Sequence, residues 1–380
     1  MLNGRPIRVP DETRERVQAA AAELHFVPNA LVRSLQAGRT GTLGVYVEFR
    51  ASVWHNAFVG ALIDGLRRGA ADAGSDVLLY RPPAHGATAD ASGEEASDGA
   101  RTNGAHAGTT PSVGPAIVMD GRADAAVLWL GPLAATAGNG GHAPLQALAG
   151  RRFPAVVLMH DAVPAALGSV VADERHGSAL LFAHLRSLGH RTIAYYAAGA
   201  PQLAPHLRLR RDAFLAAAEA AGMPLPPQLV LAGPPAQTVE PLLAGIAGGP
   251  AAGLPTAIVC AFEELAYRTM AAAERAGLRV PDALSVAAWE LGPPLQPPLL
   301  GAAGGTASAP SASPFTGVHV PIWEMGCAAA ELALALARGT RRVERRLRFV
   351  PALQVAHSTG PAPDPPRRSG APRGGRPRRS

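Results

Sequence analysis

The chain has 380 residues, 48% of them hydrophobic, which is enough apolar material for two packed units. All 35 basic residues are Arg, and the absence of Lys excludes a P-loop phosphate cradle and any Schiff-base chemistry. The formal charge of +6 is uneven: residues 361–380 carry six Arg against Asp364 alone, so the body before them is nearly neutral and is not a basic nucleic-acid-coating surface.

In chain order, Asp11, Glu12 and Thr13 begin an amphipathic helix over 11–24, with Val17, Ala20, Ala21 and Leu24 at helical spacing. Pro28-Asn29-Ala30-Leu31-Val32-Arg33-Ser34-Leu35 follows, with Asn29 as N-cap and Gly38 as stop. A helix this short is unstable alone and forms only against a partner surface. From Thr42 onward, short β-branched runs alternate with helical stretches, the pattern of βα repeats around parallel sheets. Strands are predicted at 43–47, 77–79, 127–130, 156–159, 193–196, 230–231, 258–260 and 284–289, and helices at 55–73, 180–188, 213–221 and 265–276. Between Pro82 and Pro115 the only aliphatic side chain larger than Ala is Val113, so residues 84–113 are expected to be a disordered insertion. The Pro/Gly/Arg stretch 361–380 reads as a solvated, disordered tail, with weak help in DNA attraction as the alternative.

Two strings carry a resemblance. The first is LNG followed by DETRERVQAAAAELHFVPNALVRSLQAGRTGTLGV. The second is spread over the core: Val171-Ala172-Asp173-Glu174-Arg175-His176-Gly177, Leu188-Gly189-His190-Arg191-Thr192-Ile193-Ala194, Pro255 to Ala261, Gly277 to Val286, and Glu324-Met325-Gly326 with 328–337. Together they resemble the LacI/GalR family of transcriptional regulators. The resemblance implies an α/β fold of two Rossmann-like subdomains of the periplasmic-binding-protein-like type, preceded by a partial helical DNA-binding headpiece and a hinge helix. It divides the chain into 1–41 (headpiece and hinge), 42–168 plus 301–340 (N-terminal core subdomain), 169–298 plus 341–360 (C-terminal core subdomain), and the tail. The two helices of a helix-turn-helix would lie before Met1, so major-groove reading is not expected of the chain as written.

What the resemblance implies about function is a ligand-responsive DNA-binding regulator, a repressor, acting on an operator as a homodimer or dimer-based oligomer. In that family a hinge Leu wedges into the minor groove, and Leu35 occupies its position, with Asn29, Arg33 and Arg39 as phosphate-positioning groups. The alternative for each is a packed Leu and solvated polar groups. The effector cleft lies between the subdomains, where the switch-point rule for open α/β sheets places ligands. Arg210 holds the position of a ligand-gripping Arg, or is one more member of the Arg208, Arg210, Arg211 cluster. Phe58 lines the cleft or belongs to the core. Phe262 and Trp289-Glu290 depart from the family's usual amide and Asp, which disfavours a common hexose and suits an aromatic or less polar effector stacked between Phe262 and Trp289.

Competing classes have weaker support. A solute-binding protein of the same core fold would be exported and lack a hinge, whereas the N-terminus has no apolar signal region. No stretch reaches the length of about 18 apolar residues that a membrane helix needs, so the protein is expected to be cytoplasmic with no membrane partner. No GxSxG, HExxH or strand-borne GxGxxG is present, and Cys260 and Cys327 form no metal spacing. No catalytic residue, metal or cofactor is expected, and the two Cys read as structural thiols.

Overall fold

The computed structural model describes residues 10–25, 34, 37–47, 57–80, 115–130, 143–197, 205–249, 253–291, 313–340 and 342–363. The expected insertion 84–113 and the tail from 364 onward lie outside these, as do Asn29, Arg33 and Leu35.

Two six-stranded sheets organise the core. In the first, β1 (Thr42–Val47), β2 (Asp76–Tyr80), β3 (Ala125–Trp129), β4 (Ala155–Leu158), β5 (Gly168–Ala172) and β11 (Arg346–Phe349) pair in the order β11-β5-β4-β3-β1-β2, all parallel. In the second, β6 (Ile193–Ala197), β7 (Val230–Ala232), β8 (Ala257–Cys260), β9 (Ser285–Leu291), β10 (Thr316–His319) and β12 (Ala352–Gln354) pair in the order β12-β10-β9-β8-β6-β7. Only β12 runs antiparallel there. The central strands β3, β4, β5, β6 and β8 are buried at every residue, as expected of parallel strands covered on both faces.

The helices follow from amphipathic spacing. α1 (Asp11–Glu23) is the predicted N-terminal helix, yet none of its residues is buried and Leu24 beyond it is exposed. α2 (Ala57–Asp72) and α3 (Ala143–Gly150) flank the first sheet, and α4 (Glu174–Ser187), α5 (Pro205–Ala220), α6 (Val239–Ala247) and α7 (Glu263–Arg275) the second. α8 (Ile322–Ala337) returns to the first subdomain and packs along α2. Their backbones touch through glycines: a Cβ on Gly326 would lie 2.6 Å from the Leu62 carbonyl oxygen, and one on Gly65 would overlap the Trp323 carbonyl. Glycine is required there by the close approach of two helix backbones. Gly189 and Gly277 have φ of 90° and 74°, the left-handed turns that end α4 and α7.

The expected subdomain boundaries need correction at three points. β5 belongs to the first sheet, whereas the expected second subdomain begins at residue 169. β10 belongs to the second sheet, whereas 301–340 is expected in the first subdomain. β11 returns to the first sheet, whereas 341–360 is expected in the second subdomain. A parallel strand's partner lies far away in sequence, so its sheet cannot be read from local pattern. The chain therefore crosses between subdomains after β5, after β10 and between β11 and β12, all at one edge of the two sheets.

Candidate functional site

The site grows from the crossing after β5. Asp173 caps α4 by accepting a hydrogen bond from the His176 amide at 3.0 Å, which sets Glu174 in the first helical turn, buried. Facing it, α5 carries His206 and Arg210 on one face at i, i+4 spacing. The Ser178 hydroxyl donates to the Arg210 carbonyl at 3.2 Å and ties α4 to α5.

Arg210 is wholly enclosed. Its Nε and Nη2 donate to the two oxygens of Glu174 at 2.8 and 3.1 Å, a bidentate pair. Nη1 donates to the Ala261 carbonyl at 2.6 Å and lies 2.9 Å from Glu290 Oε1. The guanidinium carbon stands 4.3 Å from the centroid of the Trp289 ring, a stacked cation–π contact. Gly177 makes room for that indole, since a Cβ there would overlap its ring. Burial alone would lower the Arg210 pKa, but the Glu174 and Glu290 carboxylates hold it above its ordinary value. Burial pushes the Glu174 carboxyl up, against the pull of Arg210.

Glu290 reaches this cluster through a β-bulge. Val318 pairs with Trp289 and His319 with Leu291, so Glu290 is the extra residue, and its φ of 57° lies in the left-handed region. Consecutive strand residues ordinarily face opposite sides; the bulge brings both Trp289 and Glu290 to Arg210.

Beside this cluster, at the crossing edge between the subdomains, is a cavity of about 150 Å³. Its walls include Met159 and Asp161 after β4, Glu174, His206 and Leu209 of α5, and Arg348 of β11. His206 is buried, its Nδ1 has no hydrogen-bond partner, and its Nε2 is 3.7 Å from Glu290 Oε1. Burial, then the charges of Arg210 and His160, hold its pKa well below 6.5, so the ring is neutral. At the rim, Arg348 and Asp161 are half-exposed and 3.6 Å apart.

Three of the expected cleft residues, Arg210, Trp289 and Glu290, thus meet in one cluster, but not as a ligand grip. The face of Trp289 is taken by Arg210, and the indole is fully buried, which overturns the expectation that an effector stacks on it. Arg210 spends its N–H groups on protein acceptors and does not line the cavity. Phe262 is the half-buried N-cap residue of α7 and packs on the core. Phe58 is buried in α2, with its ring 6.3 Å from that of Trp129. Arg39, the one expected hinge contact among the described residues, is exposed and donates to the Ala337 carbonyl at 3.3 Å. The sequence reading missed His206 and His160, for which no local signal exists. For Glu174 the signal in the sequence is its place one residue after the helix-capping Asp173. Among the described residues no group of His, Cys, Asp and Glu could hold a metal ion. Cys260 is buried and its thiol is pushed up to about 12 by burial, consistent with a structural role.

Comparison with known proteins agrees with this architecture. Residues 182–359 match the family of periplasmic-binding-protein-like domains. The HTH-type transcriptional regulator DegA of Bacillus subtilis (strain 168) is 29% identical over 223 residues, covering 57% of this chain and 59% of DegA, so the match spans less than two thirds of that relative. A LacI family transcriptional regulator from Mycobacterium smegmatis superposes with a TM-score of 0.58 at 24% identity, over 84% of this chain and 99% of that one. The lac repressor dimer bound to operator and the anti-inducer ONPF superposes with a TM-score of 0.66 at 18% identity, over 94% of this chain and 93% of that one. These likenesses establish the shared fold, with two parallel-sheet subdomains and a helix ahead of them. The chain carries a periplasmic-binding-protein-like domain over residues 182–359, and its fold is similar to that of LacI-family transcriptional regulators.

Proposed function

We propose that this chain is a ligand-responsive DNA-binding transcriptional regulator, working in the cytoplasm as a homodimer, whose core takes a small molecule between its subdomains. The observation that carries the reading is the junction ahead of β1. The Thr40 amide and hydroxyl donate to Asp124 Oδ1 at 2.7 and 3.0 Å, and the Gly41 amide donates to Asp124 Oδ2 at 2.8 Å. This clasp fixes the segment carrying the hinge string to the first sheet, so a shift of that subdomain about the crossing edge moves the hinge with it. The regulator DegA, similar over 223 residues, supports the same assignment. Residues 1–41 are the DNA-contacting part, with Leu35 wedging a base step and Asn29, Arg33 and Arg39 positioned on phosphates. The crossing-edge cavity belongs to the effector cleft, and Arg210 positions Glu174 and Glu290 there. No helix among the described residues is long and apolar enough to cross a membrane.

Fluorescence anisotropy against DNA taken from upstream of the coding region tests this at two salt concentrations. Binding is expected to be weak, to fall steeply with salt, and to fall further in Leu35→Ala. A chain with no DNA affinity even at low salt overturns the reading.

A further inference from the structure

Resting on the assignment of the crossing-edge cavity to the effector cleft, we propose that this cavity takes a small cation, an ammonium or guanidinium group on a short carbon chain, and rejects anions and neutral sugars. The first ground is formal charge. Glu174 and Glu290 share the single Arg210, and the Asp161–Arg348 pair at the rim cancels itself, which leaves one negative charge in excess beside the cavity. Two histidines also line the wall, His206 and His160: His206 is held neutral by its burial and by Arg210, and with His160 counted as the neutral imidazole neither supplies the balance. A buried net charge is costly unless it is paired, and a cationic ligand pairs it.

The second ground is independent of charge. His206 is 94% buried by its exposure of 6%, lines the cavity, and has no hydrogen-bond partner at Nδ1. A buried polar atom of this kind is ordinarily satisfied by some group. Each Glu174 oxygen accepts one bond from Arg210 and keeps a second acceptor site, and Glu174 also lines the cavity. The interior acceptors therefore want a donor, whereas of the two guanidiniums that a carboxylate ligand could use, Arg210 is closed off by protein and Arg348 at the rim already faces Asp161.

The third ground is size and lining. Met159, Val171 and Leu209 supply apolar wall for a hydrocarbon stem. A cavity of about 150 Å³ is smaller than the 300–1,000 Å³ of drug-sized pockets, so the stem is short.

The test is calorimetry and thermal shift on the full chain with propylammonium and methylguanidinium as probes, and with propanol, propionate and ribose as matched neutral and anionic controls. The cations are expected to bind and the controls not. Asp161→Asn and His206→Phe, each checked for folding by its melting curve, are expected to weaken the cations roughly tenfold or more, and Arg348→Gln to strengthen them. Ribose binding without cation binding would overturn the cation inference while leaving the effector-cleft assignment standing. Cation binding unaltered in Asp161→Asn and His206→Phe would place the cation elsewhere and likewise overturn it. Failure of every probe, together with unchanged melting, would count against both the inference and the cleft assignment.

Discussion

Trp289 and Glu290 are consecutive residues of one strand, yet both contact Arg210: the indole stacks 4.3 Å from the guanidinium carbon and the carboxylate lies 2.9 Å from Nη1. The bulge at Glu290 makes this possible. Together with Glu174 they convert a position where the sequence suggested a ligand grip into an internal ion cluster.

Removing the cation from that cluster leaves two carboxylates without their counter-ion. Arg210→Ala is expected to lower the free energy of unfolding by about 3–5 kcal/mol, read from urea denaturation. The double variant Arg210→Met with Glu174→Gln is expected to recover part of the loss, because it removes one of the two carboxylates left unpaired, Glu290 being the other. Equal destabilisation in both would argue against an electrostatic origin.

Acid should weaken the fold through its buried histidines. His206 and His190 both have pKa values below 6.5 because burial disfavours the imidazolium, and His190 is held in place by Thr256 and the Gly360 carbonyl. The unfolded chain then binds more protons than the folded one, so this stability is present above pH 6.5 and is lost as pH falls below it, by up to about 1.4 kcal/mol per pH unit for each group. Glu174 acts oppositely: its raised pKa makes the folded state hold a proton to higher pH, so its share of stability declines as pH rises through the folded value. Melting temperatures between pH 7 and 5 should drop in the wild type and drop less in His206→Gln.

Where α2 and α8 meet backbone to backbone, a methyl group has nowhere to go. Gly65→Ala is expected to cost about 1–3 kcal/mol by overpacking, despite the better helix propensity of Ala, whereas Gly60→Ala in the same helix faces open space and should be neutral or mildly stabilising. Thermal melts of the two variants side by side check this.

The Asp124 clasp predicts a local effect. Asp124→Ala removes the acceptor of three hydrogen bonds from Thr40 and Gly41, so the bond after the exposed Arg39 should be cut faster by trypsin, with little change in global melting. Salt-dependent DNA binding should weaken in parallel. Unchanged cleavage would show that the junction is held by other contacts.

The alternation of β-branched runs with amphipathic segments marked eight of the twelve described strands, β1 to β4 and β6 to β9, and Gly189 and Gly277 marked helix ends because only glycine takes those turns without strain. Arg210, Trp289 and Glu290 stood out by residue type as facing a ligand, whereas the structure has them facing one another. Which sheet β5, β10 and β11 join was decided only by tertiary structure, since the partners of parallel strands are set by packing across long sequence separations. The same holds for the site. Residues 174, 206, 210 and 290 come from three elements, and whether an arginine faces a ligand or two carboxylates depends on a bulge at one strand position and on the angle between α4 and α5. Local sequence carries propensities for backbone conformation; the direction in which a buried charge finds its partner is set by the packed three-dimensional neighbourhood.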